Sequence, residues 1–130
     1  MFEKIFGGDR FLAQTRALDA SSLRHQVISH NLANANTPNY KRQDVVFETQ
    51  LSRAMEQDRK CGGGRGSSAV SGVTPQVVTL KTTSSRMDGN NVDLEAEAVS
   101  LAENTLRYEV LSQSVGGYFS GLKSVINGGR

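Results

Sequence analysis

Near the end of the chain Leu94, Leu101, Tyr108, Val115 and Leu122 recur every seven residues, and Leu111, Tyr118 and Val125 fill the position three residues further on. That spacing keeps apolar side chains on one side of a helix and predicts a coiled-coil-like seam. Both ends of the helix are marked. Asn91 or Asp93 can cap its start, and Asp93, Glu95 and Glu97 suit the positive end of its dipole. Lys123 suits the other end, and Asn127-Gly128-Gly129 stops it. The seam is less apolar in its first half, where Glu97 and Asn104 hold the companion position. From Leu94 to Ile126 such a helix spans ~50 Å.

A second helical pattern lies at the opposite end. From Asp9 to Asn34 there is neither Gly nor Pro, and Ala13, Ala17, Ala20, Leu23 and Val27 form one line, with Phe11, Leu18 and Leu32 beside it. The helix ends before Thr37-Pro38-Asn39-Tyr40, where Pro suits the second position of a type II turn and Asn tolerates positive φ at the third. A shorter helical pattern follows with Phe47, Leu51, Ala54 and Met55 on one face and Asp44 as its cap. Residues 61–72, with Gly62-Gly63-Gly64 and Ser67-Ser68, have linker composition. Val73 to Thr82 alternates around Val77, Thr79 and Lys81 as a strand does, and the sequence shows no partner for it.

Large side chains are scarce, with no Trp, 5 Phe and 3 Tyr among 130 residues. A chain so poor in the groups that dominate cores needs neighbours to complete its packing. The economical arrangement sets the two terminal helices side by side, each apolar stripe against the other. Val92, Val99, Leu106 and Val110 then lie off the seam and call for further partners. The expected fold is mainly α. Residues 1–56 and 88–130 contribute the long helices of an assembly domain, and residues 57–87 form a variable middle segment, flexible and Gly/Ser-rich with a short β element.

Chemistry finds no foothold in these patterns. His25 and His30 are five apart, a spacing that does not place two ligands on one helical face, and Cys61 sits in a glycine tract without a rigid base beside it. The lone cysteine excludes an intramolecular disulfide. Gly62 to Ser68 lacks the Lys of a phosphate loop, and in Asp88-Gly89-Asn90-Asn91-Val92-Asp93 the Gly falls second, not sixth as a calcium loop requires. No catalytic residue, cofactor or metal site is expected. A formal charge of +2, divided as +3 over residues 1–65 and −1 over residues 66–130, gives no concentrated basic face for nucleic acid. The first fourteen residues hold no apolar run of signal-peptide length, and nothing approaches the ~20 apolar residues of a membrane helix. Two readings remain: a subunit of a larger assembly, or a soluble helical adaptor or export-chaperone-type module using the same stripe for one partner.

The stretch Ile28-Ser29-His30-Asn31-Leu32-Ala33-Asn34-Ala35-Asn36-Thr37-Pro38-Asn39-Tyr40-Lys41-Arg42 resembles the signature of the flagellar rod and hook protein family, an Asn-Leu-Ala-Asn run that ends in Thr-Pro-Gly-Tyr. Asn39 stands where the family usually has Gly. Asp88 to Asp93 and Asn104 to Tyr108 are similar to the proximal-rod members of that family. The resemblance implies a structural subunit of the basal body, exported from the cytoplasm by the flagellar type III apparatus without a cleaved signal and placed in the rod across the periplasmic space. It also implies a higher-order helical assembly around the export channel, with other rod proteins, the FliE adaptor and the FliF ring as neighbours. Asn31, Leu32, Ala33, Asn34, Asn36, Thr37, Pro38 and Tyr40 carry the signature, with Asn31, Asn34 and Asn36 as interfacial hydrogen bonders. Phe2 and Phe6 are similar to the element that early flagellar substrates present to the export gate. In such a subunit the terminal helices are expected to order fully only when neighbours cover their stripes.

Overall fold

A computed structural model describes residues 9–60, 69–81 and 87–128. Phe2, Phe6, Cys61 and most of the Gly/Ser tract lie outside the described residues. Helix α1 runs Asp9–Ala33, strand β1 Gln43–Val46, helix α2 Glu48–Lys60 and strand β2 Gln76–Thr79, and helix α3 runs Leu94–Ile126. A 3-10 turn at Ala69–Gly72 precedes β2. The fold is mainly α, with the two long terminal helices packed together and a short helix and two-stranded sheet between them in sequence.

The two long helices are antiparallel. Phe11 near the start of α1 stacks on Tyr118 near the end of α3, with ring centroids 4.8 Å apart, while Asn31 near the end of α1 bonds Glu97 in the first turn of α3. Between these points Gln14 Nε2 donates to Ser114 Oγ at 2.7 Å and Asn104 Nδ2 donates to the Ser21 carbonyl at 2.8 Å. Asp93 caps α3 by accepting from the backbone N–H groups of Glu95 and Ala96. Gly128 takes φ 72° just beyond the Asn127 C-cap, the left-handed conformation that glycine adopts without steric cost.

The two terminal helices lie side by side as the economical packing has them, but the stripe Ala13, Ala17, Ala20, Leu23 and Val27 is not spent on α3 alone, and only its Ala17 and Ala20 border a groove with Leu106, Val110 and Leu111. Its larger share faces β1, α2 and the 3-10 turn, where Ala13, Ala20 and Val27 join Val45, Phe47, Ala54, Val70 and Val73 in one buried cluster that contains no residue of α3. Small side chains on α1 let β1, α2 and the 3-10 turn come close, so a core forms with Phe47 as the one aromatic side chain of the buried cluster. Asp58 on α2 holds that turn by accepting from the N–H groups of Ala69 and Val70. The middle of the chain is therefore half of the core, and α3 docks on the neighbouring face of α1.

Asp44 is not a helix cap. It lies within β1, and α2 begins at Glu48. Val45 and Val46 are β-branched and favour extended backbone, and they pair antiparallel with Val77 and Gln76, which delays the helix by one short strand. The partner missing for residues 73–82 thus sits in the stretch assigned to the second helix. The boundary between residues 56 and 57 falls inside α2. Val92, counted among the side chains left without cover, is buried just ahead of α3, while Val99, Leu106 and Val110 are exposed.

Packing of this kind separates two classes of substitution. Phe47→Ala is expected to destabilise the chain by about 3–5 kcal/mol, because it empties the centre of the cluster. Val99→Ala, on the outward face of α3, stays within about 0.5 kcal/mol. Urea titration followed by circular dichroism measures both.

Candidate assembly site: a polar clasp between the two ends of the chain

Where α1 gives way to the Thr37-Pro38-Asn39-Tyr40 turn, the backbone needs new hydrogen-bond partners, and they come from the far end of the sequence. Asn90 is fully buried, and its Nδ2 donates to the carbonyls of Asn34, Ala35 and Thr37 at 2.9 to 3.0 Å, closing the carbonyl end of α1. Its Oδ1 accepts from Val92 N–H and bends the chain into α3. Asn39 N–H donates to the Asp88 carbonyl, and Lys41 Nζ donates to the Gly89 carbonyl at 2.6 Å. Asn39 has φ 60° and Gly89 has φ 76°, and a Cβ on Gly89 would stand 2.6 Å from Asn39 Oδ1. Glycine at 89 meets both demands without strain.

Next to this junction lies a charged group with no exposure to water. Glu97 is 0% exposed; its Oε1 accepts from Arg42 Nε and its Oε2 accepts from Asn31 Nδ2 at 3.0 Å. Asn31 is equally buried, and its amide is used in full. Nδ2 also donates to the Gln43 carbonyl at 2.8 Å, while Oδ1 accepts from Gln43 N–H at 2.9 Å and from the Tyr40 hydroxyl at 3.2 Å. Burial, with the Glu97 carboxylate adding to it, holds the Tyr40 phenol above its usual range. Arg42 N–H donates to Asn91 Oδ1, and Asn91 Nδ2 donates to the Leu80 carbonyl, tying β2 to the same centre.

The outer edge of β1 is sealed by side chains. Gln43 offers both backbone groups to Asn31, Val45 N–H donates to Asp44 Oδ1, and the Val45 carbonyl accepts from Arg24 Nη2 at 2.8 Å. Arg24 also grips Glu48 with both terminal nitrogens, and that grip holds the Glu48 carboxyl below its usual range against the opposing effect of burial.

The signature residues divide accordingly. Asn31 is buried with its amide bonded within the chain, and Asn34 Nδ2 turns back to the His30 carbonyl while its Oδ1 accepts from Thr37. Leu32 and Tyr40 are half-buried; Ala33, Asn36, Thr37 and Pro38 face outward. Along α3 the structure places Leu101, Leu111, Val115, Tyr118 and Leu122 half-buried on the α1 side, whereas Leu94, Tyr108 and Val125 are exposed. The most buried seam positions are Glu97 and Asn104, the two polar ones. A carboxylate interrupting an apolar heptad was itself the available signal, because a buried charge requires a partner. What the periodicity could not supply was the partner's address at Arg42 and Asn31. His25 and His30 are both exposed, and among the described residues no cluster of His, Cys, Asp and Glu could hold a metal ion.

Known proteins share this arrangement of sequence. A family profile described as flagella basal body rod protein matches residues 11–41, which is α1 with its terminal turn. The flagellar basal body rod protein FlgB of Yersinia enterocolitica is 34% identical over 99% of this chain and the whole of its own length. The chain belongs to the FlgB family. FlgB of Bacillus subtilis is 32% identical over 88% of the chain and 90% of its own, and FlgB of Salmonella typhimurium is 28% identical over both full lengths. Like other FlgB proteins, the chain is a structural component of the flagellar basal body rod, and the clasp joins the matched N-terminal stretch to its C-terminal helix.

Two measurements bear on the clasp. Glu97→Ala leaves Arg42 and Asn31 without their acceptor and is expected to cost about 3–5 kcal/mol by urea titration, the usual result of breaking one side of a buried pair. A carboxyl whose folded pKa is depressed contributes stability that is present above its unfolded pKa, roughly 4.3 for glutamate, and lost as pH falls through the folded value. Glu48 is such a group. Urea midpoints compared between pH 6 and pH 3 should therefore fall less in Glu48→Gln than in the parent chain.

Proposed function

We propose that this rod component is a proximal-rod subunit that polymerises with other rod proteins and links the inner-membrane ring to the distal rod and hook. The observation that carries this reading is the outward face of α3. Val99, Leu106 and Val110 lie along one side of a single 33-residue helix whose other side is occupied by α1, and all three are exposed. A stripe of that kind on a clasped helix pair suits neighbours that add side by side around a channel. No described helix is long and apolar enough to cross a membrane, and the reading asks for none.

In this reading residues 1–56 and 88–130 are the assembly portion and residues 57–87 the variable one. The chain leaves the cytoplasm through the flagellar type III apparatus without a cleaved signal, presents Phe2 and Phe6 to the export gate, and meets the FliE adaptor, the FliF ring and other rod proteins in the periplasmic space. Its outward-facing Asn36, Thr37 and Pro38, at the end of α1, are contact residues. The far half of α3, flanked by open faces, completes its ordering when neighbours cover it. The chain acts by shape and contact, with no catalytic step.

Deletion of the chain should leave membrane rings without a rod, and purified basal bodies from the parent strain should contain it within the rod. Phe2→Ala combined with Phe6→Ala should hold the chain in the cytoplasm. A normal rod in the deletion strain, or the chain recovered only in a discrete soluble complex, would refute the proposal.

A further inference from the structure

An asparagine followed by glycine is labile in water, because the glycine nitrogen can swing onto the side-chain amide with no Cβ in its way. The sequence holds one such pair, Asn127-Gly128, and one acid counterpart, Asp88-Gly89. The structure treats the two in opposite ways.

Asp88-Gly89 is pinned inside the clasp. Asp88 Oδ1 accepts from Asn90 N–H at 3.1 Å, the Asp88 carbonyl accepts from Asn39 N–H at 2.9 Å, and the Gly89 carbonyl accepts from Lys41 Nζ at 2.6 Å. Other asparagine amides are held too. Those of Asn31, Asn34, Asn90, Asn91 and Asn104 each donate to a main-chain carbonyl.

Asn127-Gly128 is open. Asn127 is the C-cap of α3; it is exposed, and its side-chain amide has no partner among the described residues. With φ −81° and ψ 10° it sits in the bridge region, just outside the helical well. Gly128 has φ 72°, and a Cβ built on it would meet nothing within 4 Å among the described residues. The Gly128 N–H donates to the Val125 carbonyl at 3.2 Å, the long end of the hydrogen-bond range, at a helix terminus of the kind that frays.

We propose that Asn127 is a self-modifying site that converts to aspartate and isoaspartate with water as the only other reactant. The Gly128 nitrogen attacks Asn127 Cγ. The N–Cγ bond forms, the Cγ–Nδ2 bond breaks, and Nδ2 leaves as ammonia with the proton of the Gly128 amide. Water then opens the cyclic imide at Cγ to give aspartate, or at the Asn127 main-chain carbonyl to give isoaspartate; nothing is oxidised or reduced. Both products add a carboxylate one helical turn after Lys123, where the helix already presents the negative end of its dipole. Isoaspartate also routes the main chain through the side chain, which breaks the register of the Gly128 bond to Val125. The end of α3 loosens, and water does not reverse the change.

The test incubates the purified full chain in mildly alkaline buffer made with heavy-oxygen water, digests it with pepsin in acid so that digestion adds no conversion, and maps the peptides by mass spectrometry. The peptide holding Asn127 should change from amide to acid, carry the heavy oxygen and separate into two products, one of them a substrate for isoaspartyl methyltransferase. Gly128→Ala should slow this conversion to the rate of the other asparagines, and Asn127→Gln should remove the methyltransferase signal from that peptide. In urea, isoaspartate should appear at Asp88 as well, because the clasp no longer pins that pair. Asn127 unchanged in the folded chain would overturn the proposal. So would isoaspartate at Asp88 of the folded chain as fast as at Asn127, no rise at Asp88 on unfolding, or a rate that Gly128→Ala leaves unaltered.

Discussion

A carboxylate without access to water is tolerable only where its partners are fixed, and Glu97 is such a group. Its two oxygens are taken by Arg42 and by Asn31, residues that lie 55 and 66 positions earlier. Each partner is held in turn. Asn31 is engaged on all sides by Gln43 and Tyr40, and the Arg42 backbone is anchored on Asn91. The register of α3 against α1 follows from this arrangement, since sliding either helix by one turn would strand a buried charge. Apolar packing alone would set that register loosely, because the α1 cluster contains no α3 residue.

The clasp also explains how so small a stock of large side chains yields an ordered body. Helix α1 has two working faces. One is lined with alanine and valine and meets β1, α2 and the 3-10 turn; the other meets α3 through hydrogen bonds at Gln14, Ser21 and Asn31 and a ring stack at Phe11. Polar contacts are directional, so they hold α3 in place beside the half-buried Leu101, Leu111, Val115 and Tyr118 without drawing in every apolar residue of the helix. Val99, Leu106 and Val110 remain outward as a result. In a rod component these are the surfaces that further subunits can cover, and their exposure follows from how the inner face is built.

Much of this was legible along the chain. Heptad spacing and the Asp93 cap located α3, and the absence of Gly and Pro from Asp9 to Asn34 located α1. Asn39 was marked for positive φ by the turn around Pro38 and has φ 60°. Short-range signals were less decisive where two of them overlapped. Asp44 followed by an amphipathic pattern resembles a capped helix, yet Val45 and Val46 form a strand because Val77 and Gln76 are available to pair with them. Local propensity cannot register a partner thirty or more residues away.

The sequence by itself determined the two long helices, their caps and the turn between α1 and β1, because each depends on residues within one or two helical turns of one another. Tertiary structure alone decided which face of α1 meets α3, that Asn31 serves the interior, and that Asn90, Gly89 and Glu97 close onto the signature turn. Those outcomes depend on satisfying buried polar groups across long sequence separations, and a hydrogen bond is specified by position in space and not by spacing along a chain.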